Sequence, residues 1–298
     1  MSCFRNSIKA HEARIGFILC LPALGVFLLI VVYPFVNSTI MSFTNRSLIY
    51  KDADFVGFEN YIEILLDSGF SGIIKNTVFF LVASTLLPFV GGLIWAILLD
   101  CKFKGAEFLR GITLVNWIIP STSVAFLWMW IFHGEYGILN ALLKGLGIIQ
   151  KNINWLGEVN TAMSVVIIAR TWQLLPWNMA FLTGGLHGIS MDVIEASRID
   201  GANNFKTFTH IILPDMKEII VIVLLMSAIS NLQHFDLFWV MTQGGPARST
   251  LTLALETYRT GFKNFDMGMA AAVGVIWAIV LTIVAIFYLK AMNRSERG

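Results

Sequence analysis

Charge is scarce in this chain. Only 13% of its 298 residues are Asp, Glu, Lys or Arg, whereas 56% are hydrophobic and the mean hydropathy is +0.72. A soluble chain carries about a quarter charged residues, so the composition is that of an integral membrane protein. The net charge of +2 is too small to point to nucleic acid. Cysteine is sparse as well: Cys3, Cys20 and Cys101 are odd in number and lack metal-ligand spacing, so neither a disulfide framework nor a zinc site is implied. No Gly-x-x-x-x-Gly-Lys-Ser/Thr phosphate loop occurs, so ATP is not expected to bind this chain in the usual way. Nor is there a His-Glu-x-x-His, a Gly-x-Ser-x-Gly or a paired-cysteine pattern. The chain reads as a non-enzyme without a cofactor or metal of its own.

What it has instead is long apolar runs. They cover Ile15 to Asn45, Asn76 to Leu99, Gly111 to Gly134, about Thr161 to Gly185 (interrupted only by Arg170), Ile219 to Phe235 (extending apolar past Asp236) and Met267 to Leu289. Each offers the ~20 residues that a helix needs to cross the hydrocarbon core, which predicts six spans in one transmembrane domain over 1–298. The first run is too long for a signal peptide and has no small-residue cleavage site before Tyr33-Pro34, so it reads as a retained anchor. Lys and Arg number twelve on one side and eight on the other, with Arg170 inside a span. The richer side holds Arg5, Lys9 and Arg14; Lys102, Lys104 and Arg110; Arg198, Lys206 and Lys217; and Lys290, Arg294 and Arg297. By the positive-inside rule both termini and the Glu195 loop are cytoplasmic.

That loop, about 186–217, is a polar island between two apolar spans. Ser190 is placed to cap a helix over Met191 to Asp200, and Gly201 to supply the left-handed residue that ends it. Asn203 or Asn204 can cap a second short helix, expected to run until Pro214. Glu195, Ala196, Asp200, Gly201, Ala202, Ile211, Leu213 and Pro214 resemble the EAA loop of binding-protein-dependent ABC import permeases, with Ser197 in place of the usual second Ala. Where the sugar branch of that family often has a second proline, this chain has Lys217 and Glu218, which leaves the start of span five open.

The resemblance extends from about Ile15 to Leu289. It includes Tyr33-Pro34, Ser42-Phe43-Thr44, Phe55 to Tyr61, Asn154-Trp155-Leu156-Gly157, Gly244 to Thr250 and Tyr258-Arg259-Thr260, and it is strongest to the carbohydrate importers. It implies an all-α type I importer permease, multi-pass in a bacterial inner membrane. The implied partners are ABC ATPase subunits that bind ATP and Mg and receive the Glu195 loop as a coupling helix, a second permease subunit in a heterodimer, and an extracytoplasmic solute-binding protein.

Two polar stripes are candidates for a substrate path. Ser227, Asn231 and His234 share a face of span five at i, i+4 and i+7, with Ser230 beside them. Arg170, Gln173 and Trp177 do the same on span four. Polar groups in hydrocarbon must face another helix or a wet cavity, so either inter-helix hydrogen bonding or sugar recognition accounts for them. Arg170 has two readings of its own: it neutralises a carboxylate such as Asp236, or it meets an anionic substrate such as a uronide or a sugar phosphate. An ion-coupled secondary transporter is the rival class, and spans nearly free of acids count against it.

Overall fold

The computed structural model describes residues 16–50, 52–100 and 104–295, with side chains as far as residue 286. Cys3, Arg5, Lys9, Arg14, Cys101, Lys102 and Arg297, with the side chains of Lys290 and Arg294, lie outside the described residues. Among those described there are only helices, loops and two isolated bridges, Thr44 with Phe55 and Ser47 with Asp266. In chain order the helices are α1 (Gly16–Met41, with a π-helical stretch at Leu28–Val32), α2 (Glu59–Leu66), α3 (Phe70–Asp100), α4 (Ala106–Ile118), α5 (Ser121–Ile131) and α6 (Ile138–Gly145). Then come α7 (Ala162–His187), α8 (Met191–Ile199), α9 (Asn204–Thr207), α10 (Lys217–Leu232), α11 (Asp236–Met241), α12 (Leu253–Tyr258) and α13 (Met267–Ser295).

All six apolar runs fold as helix, but not as six straight rods. By length and apolarity alone, α1, α3 and the Met267–Ile286 part of α13 are able to cross a membrane. The third run breaks: α4 and α5 meet at 100°. Pro120 is the cause, since it pushes Ile119 into an extended conformation (φ −65°, ψ 129°) and ends the helix before it. Helix α7 has 26 residues but is interrupted by polar side chains, and α10 is only 16 residues long. The chain after α10 turns at Gln233–Phe235 before α11, where an unbroken apolar run had suggested continuity.

The described residues fall into two compact units. One holds the chain up to Ile64 with Arg259–Val275, the other Leu65–Tyr258 with the chain from Ile276. In the first unit the loop after α1 is pinned by Asn60, whose buried side chain donates to Ser42 O and Thr44 O, both at 2.9 Å. Phe43 stacks among Phe55, Phe58 and Tyr61, so two of the motifs noted in the sequence fold onto each other. Gly268 meets the same loop so closely that a Cβ there would strike Thr44 O.

The second unit is built on α3 and α7. They touch backbone to backbone at Gly92, where a Cβ would lie 2.7 Å from Asn178 Cβ and 2.9 Å from Met179 N. Helix α10 packs on both. Ala96, Leu99, Met179, Leu182, Ile189, Met216 and Val223 form one buried apolar cluster at the ends of these three helices. That cluster is the floor on which the polar island stands.

Candidate functional site

The Glu195 loop folds as its residues dictate. Ser190 Oγ accepts the Asp192 N–H at 3.3 Å, and Asn203 Oδ1 accepts the Lys206 N–H at 2.8 Å. Between these caps Gly201 adopts φ +82°. Ala202 N–H then reaches Ser197 O at 2.9 Å and Gly201 N–H reaches Arg198 O at 3.1 Å, which together complete a Schellman turn. Helix does not stop at Pro214. It continues through a π-helical stretch, Phe208–Ile212, in which Leu213 N–H bonds back to Phe208 O, and it turns only at Met216. The wider π winding accommodates a proline that has no N–H to give.

Glu195, Ala196, Asp200, Gly201 and Pro214 are exposed, Ala202 is half-buried and Ser197 is buried. Ser197 Oγ donates to Ile194 O at 2.7 Å and meets Thr207 Oγ1 at 3.2 Å, a clasp between α8 and α9. Beside Glu195 the loop exposes Met191 (61%), Ile199 (87%) and Phe205 (74%). These apolar side chains inside a polar segment add a surface that the Glu195 motif residues do not themselves supply. The base is held by Ile189 and Met216 in the apolar cluster and by Gly185, where a Cβ would lie 2.6 Å from Ile219 Cγ2. His187 Nε2 and Asp100 Oδ1 add an exposed contact at 2.9 Å between the ends of α7 and α3.

The two polar stripes converge on one buried knot. Arg170, 5% exposed, donates from Nε to Asn231 Oδ1 (2.8 Å), from Nη1 to Gln173 Oε1 (3.0 Å) and from Nη2 to Ser230 Oγ (2.7 Å). Asn231 Nδ2 passes the link to Ser84 O (2.8 Å) and Thr85 Oγ1 (3.2 Å) on α3. Gln173 Nε2 carries it the other way, to Ile119 O (3.4 Å) and Ser121 Oγ (3.1 Å), at the break between α4 and α5. Ser227 joins α10 to α7 through Asn178 Oδ1 at 3.3 Å. Among the described residues no carboxylate, Asp236 included, stands within ion-pair distance of Arg170. His234 lies at the edge, stacked on Phe80 with ring centres 6.3 Å apart, its Nε2 buried without a partner, as is Ser84 Oγ. Trp177 does not join the knot. Its ring lies 4.5 Å from Phe181 and it packs against the apolar cluster around Met179. Ser84, Thr85 and Ser121 complete the network although nothing in their own segments marks them.

Residues 88–298 match the family described as the binding-protein-dependent transport system inner membrane component. The chain belongs to that family. It is 31% identical to the trehalose/maltose transport system permease protein MalF of Thermococcus litoralis, over 96% of each chain. It is 30% identical to the lactose transport system permease protein LacF of Rhizobium radiobacter, over 98% of each. Among solved structures, a chain of a bacterial ABC transporter involved in the import of the acidic polysaccharide alginate superposes with a TM-score of 0.81 at 19% identity, covering 98% of this chain and 99% of that one. The fold is therefore that of an ABC importer permease, and the chain is a membrane transport subunit.

Proposed function

We propose that this permease moves a neutral sugar or oligosaccharide inward by alternating access. A solute-binding protein delivers the sugar, and a second permease forms the other half of the path. Separate ATPase subunits bind ATP and Mg, and both termini and the Glu195 loop lie in the cytoplasm. The observation that carries the reading is the geometry of that loop: two capped helices at a glycine turn, clasped by Ser197 and Thr207, seated on a buried apolar cluster and presenting Glu195 with exposed apolar side chains. A rigid, partly apolar projection of this kind suits docking into a cleft on a partner, because such a contact loses little conformational entropy on forming. The trehalose/maltose and lactose relatives support the sugar assignment. A neutral substrate is favoured over an acidic one because each nitrogen of the Arg170 guanidinium already donates to a neutral oxygen of the protein.

The test uses the complex reconstituted in proteoliposomes with its binding protein. Uptake of one of maltose, trehalose or lactose should require ATP and persist without proton or sodium gradients. Cysteine at Glu195 should crosslink to the ATPase. Uptake that follows an ion gradient and ignores ATP would overturn the importer reading.

A further inference from the structure

A second site lies away from the Arg170 knot, at the far end of α5. From Ser121, held by Gln173, to Trp130 the helix climbs about 14 Å at 1.5 Å per residue. There it opens onto a hollow of about 630 Å³ between α5 and the loops on either side of α6. That volume falls within the ~300–1,000 Å³ of small-molecule sites. One wall carries Trp130, His133, Glu135 and Tyr136, the other Asn152 and Asn154.

The two walls are locked together from behind. Asn140, 1% exposed, donates to Gly134 O (2.8 Å) on one wall and Ile153 O (2.9 Å) on the other, and accepts the Trp155 N–H at 3.0 Å. Asn152 adds a bond to Glu135 O at 3.2 Å. Gly137 is required at the bend, since a Cβ there would collide with His133 O and His133 N. The Asn154 to Gly157 motif, which the coupling loop leaves without a purpose, is thus half of this frame.

What faces the hollow is a mixed set of free groups. His133 Nδ1 accepts the Glu135 N–H at 3.2 Å, which leaves Nε2 as the N–H donor. Glu135's carboxylate and the Tyr136 hydroxyl have no hydrogen-bond partner among the described residues. Asn152 spends its amide N–H on the frame and keeps Oδ1, while Asn154 spends Oδ1 on Gly157 N–H and keeps Nδ2. The ring of Trp130 (55% exposed) and that of Tyr136 (65% exposed), which stacks one face on His133 with ring centres 3.5 Å apart, stand beside them. Apolar faces next to a fixed array of both donors and acceptors fit a sugar ring, which has apolar C–H faces and a hydroxyl rim. A carboxylate among those groups repels an acidic ligand.

We infer that this hollow is a holding subsite for a neutral saccharide, on the outer side of the permease as the charge pattern orients it, occupied before the sugar reaches the buried knot. The inference rests on the sugar-importer reading proposed above. In the reconstituted complex, Tyr136→Ala and Glu135→Ala should each raise the sugar concentration for half-maximal uptake about five- to tenfold, the range expected when one such contact is lost. The maximal rate and its coupling to ATP should stay unchanged, and Tyr136→Phe, which keeps the ring and loses only the hydroxyl, should raise the half-saturating concentration less than Tyr136→Ala does. Independently of transport, Asn152→Cys in complex lacking the binding protein should react with a membrane-impermeant maleimide. The transported sugar, whichever of maltose, trehalose or lactose it is, should slow that reaction, and glycerol should not. Unchanged half-saturation with no protection overturns the subsite and leaves the importer reading standing. Protection by the binding protein with or without sugar makes the hollow a protein-docking surface and also overturns it. If none of the three sugars is taken up, the importer's sugar assignment fails and this inference falls with it.

Discussion

Arg170 and Asn231 lie 61 residues apart in sequence and meet through a single hydrogen bond of 2.8 Å, from Nε to Oδ1. Because Asn231 also holds Ser84 and Thr85, and Arg170 also holds Gln173 and Ser230, this bond is the point where α3, α7, α10 and the α4–α5 break are tied together. Hydrogen bonds to a charged group contribute about 1.5–3 kcal/mol each, and a buried acceptor left without its donor carries the full desolvation cost. Arg170→Met should therefore lower the thermal unfolding midpoint and the amount of permease in the membrane, whichever substrate is present. Arg170→Lys should recover only part of the loss, since an ammonium cannot reproduce the planar fork that reaches three acceptors. Thermal unfolding of the detergent-solubilised complex checks both. A variant that keeps its stability but loses only transport would assign Arg170 to substrate instead.

The clasp on the Glu195 loop gives a second, smaller effect. Ser197 donates to Ile194 O, so in the 3.2 Å contact it accepts from Thr207. Ser197→Ala leaves the buried Thr207 hydroxyl without that partner and should cost about 1 kcal/mol. Combining it with Thr207→Val removes both polar groups and should restore most of the stability. A double-mutant cycle on thermal unfolding should show this non-additivity; simple addition of the two losses would mean that the hydroxyls act separately.

Much of the Glu195 loop was legible in the sequence because its signals are local. Ser190, Gly201 and Asn203 each act on backbone within a few residues, and all three adopt the predicted roles. Helical periodicity likewise put Arg170 with Gln173, and Ser227 with Asn231, on shared faces. Which groups those faces meet is a property of tertiary packing, and here the sequence was silent. Ser84 takes part through its carbonyl, a group every residue has, and Ile119 does so only because Pro120 frees its carbonyl from a helix. Asn140 is similar: an unremarkable amide in a short helix becomes the pin of the hollow beside α6 through contacts up to 15 residues away. Trp177 shows the opposite case, where a shared helical face with Arg170 did not lead to a shared environment.

Close packing at Gly92 makes a further prediction. A Cβ at that position would sit 2.7 Å from Asn178 Cβ and 2.9 Å from the Met179 backbone nitrogen, and a backbone atom cannot swing aside. Gly92→Ala should force α3 and α7 apart, at a cost of about 1–3 kcal/mol. Gly72 on the same helix has open space around it, so Gly72→Ala should be neutral or slightly stabilising, given the helix propensity of alanine. Equal effects of the two substitutions on thermal unfolding would contradict the close approach.

Gly201 separates backbone conformation from packing. No atom lies within 4 Å of where its Cβ would be, so a side chain there has room, yet φ is +82°. The left-handed conformation costs an ordinary residue roughly 1–2 kcal/mol, more for a β-branched one, while asparagine tolerates it far better. Gly201→Val should therefore open the Schellman turn and misdirect Glu195 and the exposed Ile199, with loss of substrate-stimulated ATP hydrolysis. Gly201→Asn should keep most of it. Membrane insertion should be unchanged in both, because neither substitution touches an apolar helix. A steric role for the glycine would make the two variants equally defective, since asparagine and valine are of similar size. Equal and normal hydrolysis would mean that the turn does not transmit the ATPase stroke. Only the ordering of asparagine well above valine fits a glycine retained for its backbone alone.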